Sequence, residues 1–439
     1  MIRSIAIAGL TALLALPALL ALPAAAQSVY GCSDLSGRIS MPSVEGSHGV
    51  FYRIDPDLHM FHAFSDESID LLAELSQALS AQGTTLIYLP LPTKSLGMPD
   101  QLPQAARDLG FDITIATTVH DDMFRRLSEA GVLSVNLRTA LRTAPEGQPS
   151  FFGTDYRMTP AGARRAAGAI AAVINALPGF VGLPKSLFET RQTGTTTIPS
   201  DMYNVLQRHC TARLPPVQTD IFATTRFQSG AASSDPTIFG TGTTDARIAL
   251  LGTEYSGGAM ANLAGFLAEN TGLDVIEYAV DGGGSFAAMS SYLTSRAFAE
   301  ARPAYLIWAN PVFNNLGQYG DQPMRELIAA AGASCRVSLP LATGFEPNSI
   351  SADLRGLEPG QSYTLFVDAD GAQAAEARFN FTGATGLITS RIISRNQTQV
   401  PTGRFYMGLT GLTPTDAQTV RIDLDVPFGI NARVSACLD

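Results

Sequence analysis

The sequence predicts two domains, an α/β domain built on a parallel sheet and a β-sandwich after it. Helix-like and strand-like segments alternate from about residue 66 to 330, which is typical of a parallel sheet covered by helices on both faces. After Cys335 the pattern changes to short period-two runs, which indicates a sandwich of roughly 100 residues. With 439 residues and 46% hydrophobic content, the chain is long enough to bury both cores. We therefore place the domains at 27–333 and 335–439.

The helices and strands of the α/β domain are predicted from the spacing of apolar residues and from the capping and turn residues at their ends. The predicted helices are 66–83, 120–132, 159–177, 262–272 and 285–301. The predicted strands are 84–92, 133–137, 246–252, 273–280 and 304–310. One helix start is marked by Thr159 as the capping residue and Pro160 at the first helical position. Residues 182–246, rich in Thr, Ser and Pro, are expected to form an irregular insertion. The predicted sandwich strands lie within 361–371, 376–383, 386–394, 403–411, 419–426 and 432–439.

Residues 1–26 have the features of a cleavable secretory signal. One early Arg precedes an apolar core, and Ala24 to Ala26 supply an A-x-A cleavage site. An uncleaved membrane anchor is the alternative because the apolar run is long, but Pro17 and Pro23 favour cleavage. No other stretch is long enough to span a bilayer. We expect a periplasmic protein with no membrane span after cleavage.

The four cysteines show no metal-ligand spacing, so disulfides are expected. Three pairings are possible, and we favour Cys32 with Cys210 and Cys335 with Cys437, because each pair brackets one domain. The net charge of −10 argues against nucleic acid as a partner, since binding phosphates requires a basic face. No cofactor or metal is expected, because the sequence has neither a phosphate-binding P-loop nor a G-x-G-x-x-G fingerprint.

Three loops lie where an open parallel sheet binds its ligands, beyond the carboxyl ends of the strands. Their sequences are FFGTDYRMTPAGA, LGTEYSGG and YAVDGGGSFAAM. In this order, with GTTLIYLPLPTKS upstream and a cysteine-bracketed β domain downstream, they resemble the periplasmic polysaccharide O-acetyltransferases of the alginate AlgX/AlgJ type. The resemblance implies an SGNH-hydrolase-like parallel sheet flanked by helices, a C-terminal carbohydrate-binding module and the same two disulfides.

The catalytic motifs of that family are not matched. The family pattern resembles D-x-H-W-T-P-x-G-A for the acid and base and G-T-S-Y-S for the nucleophile. This chain keeps Asp155 but has Arg157 at the base position and Glu254 at the nucleophile position. A guanidinium stays protonated, and a carboxylate forms only a mixed anhydride, so neither takes over the original role. The three are expected to form a carboxylate, guanidinium, carboxylate cluster; the alternative is that Arg157 and Glu254 are solvated and do not meet.

Other residues of these loops are weaker candidates. Ser256 is a possible displaced nucleophile, but it needs a histidine as base, and the five histidines lie in other segments. Gly282, Gly283 and Gly284 either present N–H groups to an oxyanion or acetyl group or only permit a tight turn. Tyr255, Asn310 and Asn314 are expected to line the same cleft.

In the β domain, arginines lie on or beside predicted strands with aromatic rings nearby. The residues selected as substrate-binding candidates are Arg378, Arg391, Arg404 and Tyr406. Guanidinium groups clamp carboxylates and aromatic rings stack on sugar faces, so this combination suits acidic sugars. The alternative is a solvated strand face balanced by Asp and Glu. The resemblance to a carbohydrate-binding module favours binding.

Two functional hypotheses result. The first is a non-catalytic or impaired member of an alginate-like exopolysaccharide biosynthesis, acetylation and export system. It would bind an anionic or acetylated polysaccharide and have other secretion and acetylation proteins as partners. The second is an active polysaccharide O-acetyltransferase or acetylesterase with rearranged residues that uses Ser256. Glycoside cleavage by Asp155 and Glu254 is disfavoured, because Arg157 between them would keep both ionised.

Overall fold

The computed structural model describes residues 28–37, 39–227, 247–257, 260–332, 335–343, 346–412 and 417–438. The predicted signal at 1–26 lies outside these residues, as does part of the predicted insertion, 228–246. The strands are β1 Ser43–Glu45, β2 Phe51–Arg53, β3 Thr85–Leu91, β4 Leu187–Thr197, β5 Gln218–Phe227, β6 Arg247–Gly252, β7 Asp274–Ala279, β8 Tyr305–Pro311, β9 Val337–Ser338, β10 Leu341–Thr343, β11 Ser349–Asp353, β12 Tyr363–Asp368, β13 Glu376–Thr382, β14 Ile388–Ser394, β15 Arg404–Gly408, β16 Thr419–Leu424 and β17 Arg433–Leu438. The helices are α1 Ile54–Asp57, α2 Asp66–Ser80, α3 Lys94–Gly97, α4 Gln104–Asp108, α5 Ile113–Glu129, α6 Arg138–Arg142, α7 Pro160–Asn175, α8 Asp201–Gln207, α9 Leu263–Thr271, α10 Ala287–Leu293, α11 Arg296–Glu300 and α12 Gln322–Ala331.

A four-stranded parallel sheet in the order β3-β8-β6-β7 forms the centre of the first domain. Successive side chains of a strand point to opposite faces, and each face meets a different set of helices. Ile87 and Leu89 pack into the cluster that includes α7 and α9, whereas Leu86 and Tyr88 pack into the cluster that includes α2 and α12. Burial on both faces explains why β3 reads as a continuous apolar run, since each buried Leu or Ile contributes about 1.5–3 kcal/mol.

The single tryptophan of the chain, Trp308, lies at the centre of β8 and is fully buried. Its indole Nε1 donates to the carbonyl oxygen of Ser285 at 3.0 Å. The ring packs edge-on against Tyr88, with centroids 5.6 Å apart. Trp308 therefore ties the middle of the sheet to the segment that precedes α10.

Several predicted elements differ from the structure. α5 begins at Ile113 because Asp112 caps it, accepting from Thr114 N at 2.7 Å. Segment 133–137 makes one isolated bridge, between Ser134 and Tyr88, rather than a strand. Predicted helix 285–301 is broken into α10 and α11, because Ser295 caps a new helix by accepting from Phe298 N at 3.1 Å. The insertion expected to be irregular contains α8 and an antiparallel pair of strands, β4 and β5.

Two antiparallel sheets form the sandwich-like second domain. One has the order β10-β11-β16-β13-β14 and the other β15-β12-β17-β9. Their inner faces share one apolar cluster that includes Phe379, Phe381, Leu365 and Phe405. The six predicted strand segments each contain one observed strand, β12 to β17; β9, β10 and β11 were not predicted.

The two domains meet at the interdomain seam, where α12 packs on β15. Glu326 on α12 forms a buried ion pair with Arg395, with Oε2 2.7 Å from Nη1. The same carboxylate accepts from Tyr406 N at 3.1 Å. Gln322 donates to the Tyr406 carbonyl at 2.8 Å and accepts from Gly408 N at 3.0 Å. These contacts fix the sandwich against the α/β domain.

The predicted disulfide pairing is confirmed. Cys32 bonds Cys210 and Cys335 bonds Cys437, closing chain segments of 178 and 102 residues. Bridges that close such long loops stabilise a fold by about 4 kcal/mol each in the chain-entropy account. Among the described residues, no helix has the length and apolar character needed to cross a membrane.

Candidate functional site

The loops singled out in the sequence meet at the carboxyl end of the parallel sheet. Glu254 follows β6 by two residues, and Gly282 lies three residues after β7. The loop before α7 reaches them through Tyr156, whose ring lies 4.9 Å from that of Tyr255. We call Asp155, Arg157 and Glu254 the degenerate site. Parallel strands end at one edge, which is why residues far apart in sequence converge here.

Asp155 and Arg157 form a bidentate ion pair. Arg157 donates through Nε to Oδ1 at 2.9 Å and through Nη2 to Oδ2 at 2.7 Å, and its main-chain N–H adds a bond of 2.7 Å. Asp155 is 1% exposed, and burial alone would raise its pKa; the hydrogen bonds and charge of Arg157, with a bond from Ser200, lower the pKa below its usual value instead. Both carboxylate oxygens of Asp155 therefore accept hydrogen bonds from Arg157, and Asp155 is ionised at neutral pH.

The predicted pairing of Arg157 with Glu254 is wrong. Both side chains are described, and no ion pair joins them. Arg157 turns back onto Asp155 and donates to the Pro199 carbonyl at 2.7 Å, and Asp281 is the second carboxylate whose charge acts on it. Glu254 Oε2 instead accepts from Gly282 N at 3.1 Å. Because Asp155 is only two residues away from Arg157, it satisfies the guanidinium locally and leaves Glu254 to the backbone.

The glycine loop forms a tight turn in which two backbone N–H groups are bonded within the protein. Gly282 and Gly284 have φ of +65° and +61°, a left-handed conformation that favours glycine. The N–H of Gly282 binds Glu254, and the N–H of Gly283 donates to the Val280 carbonyl at 3.0 Å. A Cβ on Gly283 would lie 2.7 Å from side-chain atoms of Val280 and Ala287. Neither N–H is left for a developing oxyanion.

Ser256 lacks the surroundings of a nucleophile. It is 1% exposed, and its hydroxyl donates to the Thr253 carbonyl at 3.2 Å. None of the described histidines hydrogen-bonds to it: His59 and His62 stack on each other, and His120 is buried against Phe124. A serine without a base and without access to solvent is not activated for acyl transfer.

A charged and aromatic wall beside the degenerate site was not predicted. Arg53, at the end of β2, binds Asp57 through Nε at 3.0 Å and Nη2 at 3.1 Å. Its Nη1 donates to the Tyr255 hydroxyl at 2.7 Å, and its guanidinium lies 4.5 Å from the Tyr156 ring centroid. Phe313 packs edge-on against Tyr255 at 5.2 Å. Arg53 therefore fixes the orientation of Tyr255, which was predicted to line the cleft and is half-buried there.

Lys94 also contacts the loop that carries Asp155, and the sequence did not predict this contact. Its ammonium donates to the carbonyl oxygens of Phe152, Gly153 and Asp155 at 2.6, 2.9 and 2.9 Å. Burial lowers the pKa of Lys94 to about 7, although the charges of Asp57 and Asp155 act in the opposite direction. The main chain of the loop that carries Asp155 is thus held by the buried amino group of Lys94.

A groove, which we call the interdomain groove, runs along the interdomain seam from the glycine loop, where Gly282 binds Glu254 of the degenerate site. It consists of two cavities, of 730 and 410 Å³, that share Gln322 and Ile392. The glycine loop lines one end, and Arg325, Arg391 and Gly411 line the other. The polar and aromatic lining residues between them include Asn314, Gln318, Tyr319, Gln322 and Asn396. Tyr319 is 69% exposed, so its ring is free to stack on a ligand.

Sequence comparison decides the family. A family model described as "SGNH hydrolase-like domain, acetyltransferase AlgX" matches residues 46–312, a span that contains the whole parallel sheet and the degenerate site. The chain belongs to this AlgX family. Its α/β domain is accordingly an SGNH-hydrolase-like domain, as the sequence predicted.

Curated relatives agree with this membership. "Alginate biosynthesis protein AlgX" of Pseudomonas aeruginosa is 31% identical over 265 residues, which cover 60% of this chain and 54% of the relative. AlgX of Pseudomonas syringae pv. tomato is 30% identical over 328 residues, covering 75% of this chain and 65% of the relative. "Probable alginate O-acetylase AlgJ" of the same organism is 25% identical over 299 residues, covering 64% and 72%. The chain thus spans between half and two thirds of the length of these two AlgX relatives.

Solved structures have the same fold. The structure of Pseudomonas aeruginosa AlgX superposes with a TM-score of 0.74 at 23% identity, covering 91% of this chain and 94% of that chain. The O-acetyltransferase domain of Pseudomonas putida AlgJ superposes with a TM-score of 0.52 at 22% identity, covering 65% of this chain and 98% of that domain. The AlgX likeness extends across both domains, whereas the AlgJ likeness covers a smaller share of the chain.

Most other predicted binding residues of this AlgX-family chain are occupied by the protein itself. Arg404 pairs with Asp368 at 3.2 Å, and both are largely buried. Tyr406 is 8% exposed. Arg378 is exposed and pairs with Glu376 at 3.5 Å. Arg391 donates to the carbonyls of Gly408 and Thr410, each at 2.7 Å, yet still lines the interdomain groove.

Asn310 is likewise a core residue of the sheet. It is 1% exposed and donates to the Tyr88 hydroxyl at 3.0 Å. Its Oδ1 accepts from Asn314 at 3.3 Å, and Asn314 is the residue of the two that reaches the interdomain groove. Of the two asparagines predicted to line the cleft, Asn314 therefore lines the interdomain groove and Asn310 does not.

Proposed function

We propose that this chain is a non-catalytic, or catalytically impaired, polysaccharide-binding member of an alginate-like exopolysaccharide biosynthesis, acetylation and export system. The observation that carries the proposal is the state of the degenerate site. Asp155 is committed to Arg157, and Glu254 occupies the N–H of Gly282. Acyl transfer through this family's chemistry needs a nucleophilic hydroxyl and a base, and Glu254 and Arg157 supply neither.

The electrostatics of the site agree with lost catalysis. Asp155, Glu254 and nearby Asp281 outnumber Arg157, so the local charge is negative. A negative site disfavours the oxyanion that forms when an ester carbonyl is attacked. Arg157 stays protonated at any physiological pH, and its pKa is raised further by hydrogen bonding to Asp155. Proton transfer by a group at this position is therefore excluded.

Ser256 is the basis of the competing proposal, an active O-acetyltransferase or acetylesterase. Its burial and its bond to the Thr253 carbonyl count against that role. Activity through Ser256 would require the loop after β6 to rearrange and a base to be recruited from another segment.

Polysaccharide binding is assigned to the interdomain groove. Its amide side chains and the exposed ring of Tyr319 match what sugar hydroxyls and pyranose faces require. Arg391 at the far end has no carboxylate partner among the described residues and offers positive charge to an acidic sugar, whereas Arg325 beside it is paired with Glu74. The ligand class, an anionic or acetylated polysaccharide, comes from the family and its alginate relatives.

A periplasmic location belongs to the same proposal. Two disulfides in one chain favour an oxidising compartment. The signal predicted at 1–26 would deliver the chain there, and its partners would be other exopolysaccharide secretion and acetylation proteins.

The catalytic part is tested with acetylated chromogenic esters and the purified full-length protein. We expect wild-type hydrolysis no faster than that of Ser256→Ala. Robust wild-type turnover that disappears in Ser256→Ala would establish the displaced nucleophile and overturn the non-catalytic assignment.

The binding part is tested by titrating the full-length protein with uronic acid oligosaccharides. We expect affinity to fall as salt rises, because charge interactions are screened. Tyr319→Ala should weaken binding by about tenfold, since stacking on an aromatic ring contributes on the order of 1 kcal/mol or more. Absence of binding at low salt to acidic and acetylated oligosaccharides alike would contradict the assignment.

A further inference from the structure

A second groove lies against the loop that carries Asp155. It has a volume of 930 Å³ and shares no lining residue with the interdomain groove. Its walls are the loop 143–149, residues 152–154, the first turns of α7 and the start of β5. We call it the α7 groove. Its size is at the upper end of the range for small-molecule sites, about 300–1,000 Å³.

Arg165 on the wall of the α7 groove is a cation without a carboxylate partner. Its Nη2 donates to the Gln148 carbonyl at 3.0 Å and to Ser150 Oγ at 2.8 Å. Its Nε is buried without a hydrogen-bond partner, and no ion pair to it occurs among the described residues. Burial lowers the pKa of Arg165, and no acidic neighbour acts against that. A partly desolvated, uncompensated charge is costly to the protein alone and is stabilised by an anion.

Arg164, the preceding residue on the same wall, has partners for its guanidinium that Arg165 lacks. It lies 3.6 Å from Glu269 and 4.2 Å from the centroid of the Phe266 ring. The two arginines are adjacent and line one groove, but only Arg164 has a carboxylate partner among the described residues.

The amino-terminal end of α7 adds to the positive potential of the groove. α7 has 16 residues, and Thr159, Pro160 and Ala161 line the cavity. Thr159 caps the helix by accepting from Gly162 N at 3.0 Å, and the first turn contains no acidic residue. The partial positive charge of the helix start is consequently not neutralised by its own first turn.

The remainder of the α7 groove presents groups that bind sugar hydroxyls. Gln148 and Gln218 are exposed, and their side-chain amides have no protein partner within the described ranges. Thr195 adds a hydroxyl, and Tyr30 and Phe222 contribute aromatic surface. Amides around a cation, beside aromatic rings, fit a chain of carboxylated sugars better than a simple inorganic anion.

We propose that the α7 groove is a second binding site for an acidic polysaccharide, in which Arg165 binds a sugar carboxylate and Gln148 and Gln218 bind hydroxyls. The sugar class rests on the proposed function, but the position of the site rests on the structure of the groove itself. Two grooves in one chain would hold two segments of a polymer at once. Linked binding of this kind raises the overall affinity for long chains above that for short ones.

Hydrogen-deuterium exchange of the full-length protein with a uronic acid oligosaccharide tests the proposal, because it reports each groove separately. We expect ligand-dependent protection at 143–149 and 215–222, in addition to protection at 282–287 in the interdomain groove. Arg165→Gln should lower affinity for the α7 groove about tenfold by loss of a charge-assisted hydrogen bond. At a ligand concentration near the wild-type Kd it should therefore remove most of the first protection and spare the second. Arg125→Gln, which removes an equal charge from the exposed face of α5, is the matched control and should change neither.

A second variant guards against disturbance of the loop that Arg165 braces. Gln218→Glu is an exposed, nearly isosteric change that adds a second carboxylate to the groove, next to Asp220, and it should also remove protection there by repelling the ligand. A neutral oligosaccharide of the same length should give no protection at 143–149. Protection confined to 282–287, or protection at 143–149 that survives both variants, overturns the second site while leaving the proposed function intact. Protection at neither groove overturns both.

Discussion

Two buried carboxylate and guanidinium pairs, one at the degenerate site and one at the interdomain seam, have opposite roles in this molecule. Asp155 and Arg157 are two residues apart, and the Arg157 side chain remains 29% exposed. Glu326 and Arg395 are 69 residues apart, come from different domains and are 5% and 7% exposed. In the first pair, both charges belong to the same loop and neutralise each other there. The second joins two domains, and losing it would leave a charge with no access to water.

The comparison indicates where charge contributes to structure in this chain. At the degenerate site, Asp155 and Arg157 pair with each other, and Glu254 binds a backbone N–H. These contacts stay within the loops of one domain. At the seam, the carboxylate of Glu326 also accepts from Tyr406 N. One group there serves both an ion pair and a backbone donor, and it has no local substitute.

The largest expected effect is at the seam. Glu326→Gln should lower the free energy of unfolding by about 3–5 kcal/mol, because Arg395 stays charged and buried without its partner. Asp155→Asn should cost clearly less, since Arg157 keeps the Pro199 carbonyl and partial exposure to water. Urea unfolding followed by circular dichroism measures both. Equal losses for the two variants would remove the distinction between the pairs.

The next effect concerns the degenerate site. The double change Arg157→His with Glu254→Ser should raise esterase turnover about a hundredfold above wild type, equivalent to about 2.7 kcal/mol, because general-base catalysis contributes at least that much. Each single change should stay at the wild-type level, since one lacks the nucleophile and the other the base. Chromogenic acetyl esters provide the readout. An inactive but folded double variant would indicate that the support given by Asp155 and Lys94 is no longer suited to catalysis.

The pH dependence of stability should distinguish the contribution of the buried histidines from that of Asp155. Burial lowers the pKa of His62 and His120 to about 4, with His59 adding to the effect at His62. Below the ordinary pKa of 6.5 the unfolded chain binds protons at these histidines that the folded chain does not, so their contribution to stability is complete above pH 6.5 and falls as the pH drops towards 4. The slope should be about 1.4 kcal/mol per pH unit for each histidine at most.

Above its ordinary pKa of 3.8, Asp155 should contribute almost nothing to the slope. The lowered pKa of Asp155 means that its stabilising contribution is present above its unfolded pKa and is lost only as the pH falls through the still lower folded value. His120→Gln should therefore reduce the slope, and Asp155→Asn should not. Thermal unfolding between pH 7 and pH 4 is the measurement, and an unchanged slope in His120→Gln would contradict it.

The smallest expected effect is on the exposed face of the sandwich. Arg378 pairs with Glu376 at 3.5 Å across two largely exposed side chains, and exposed pairs contribute about 0–1 kcal/mol. Arg378→Gln should therefore change stability by less than about 0.5 kcal/mol, measured by the same urea unfolding. A loss comparable to that of Glu326→Gln would show that exposure does not set the difference between the pairs.

The parts of this fold that are encoded locally were predictable. Thr159 and Pro160 mark the start of α7 because capping involves only neighbouring residues. Runs such as β3 and β8 were recognisable because burial on both faces leaves a continuous apolar segment. Ser295 was missed as a helix boundary because one small polar residue within an apolar periodic stretch is compatible with a continuous helix.

The contacts of the site were not predictable to the same degree. Charge complementarity pairs Arg157 with any nearby carboxylate, and only the backbone path decides that Asp155 reaches it before Glu254 does. Arg53 meets Tyr255 across 202 residues of sequence, a contact that neither segment signals alone. Lys94 had a weak signal, a lysine directly after a buried strand, but its three carbonyl partners lie on another loop.

Trp308 gives the molecule an intrinsic optical probe of its own. It is the sole indole of the chain, and its N–H is bound to the carbonyl of Ser285, a residue that lines the interdomain groove. A ligand that shifts this segment alters the hydrogen bond, and with it the polarity that the excited indole senses. Emission from unlabelled protein therefore reports occupancy of the interdomain groove, whereas the α7 groove, which Trp308 does not line, stays optically silent.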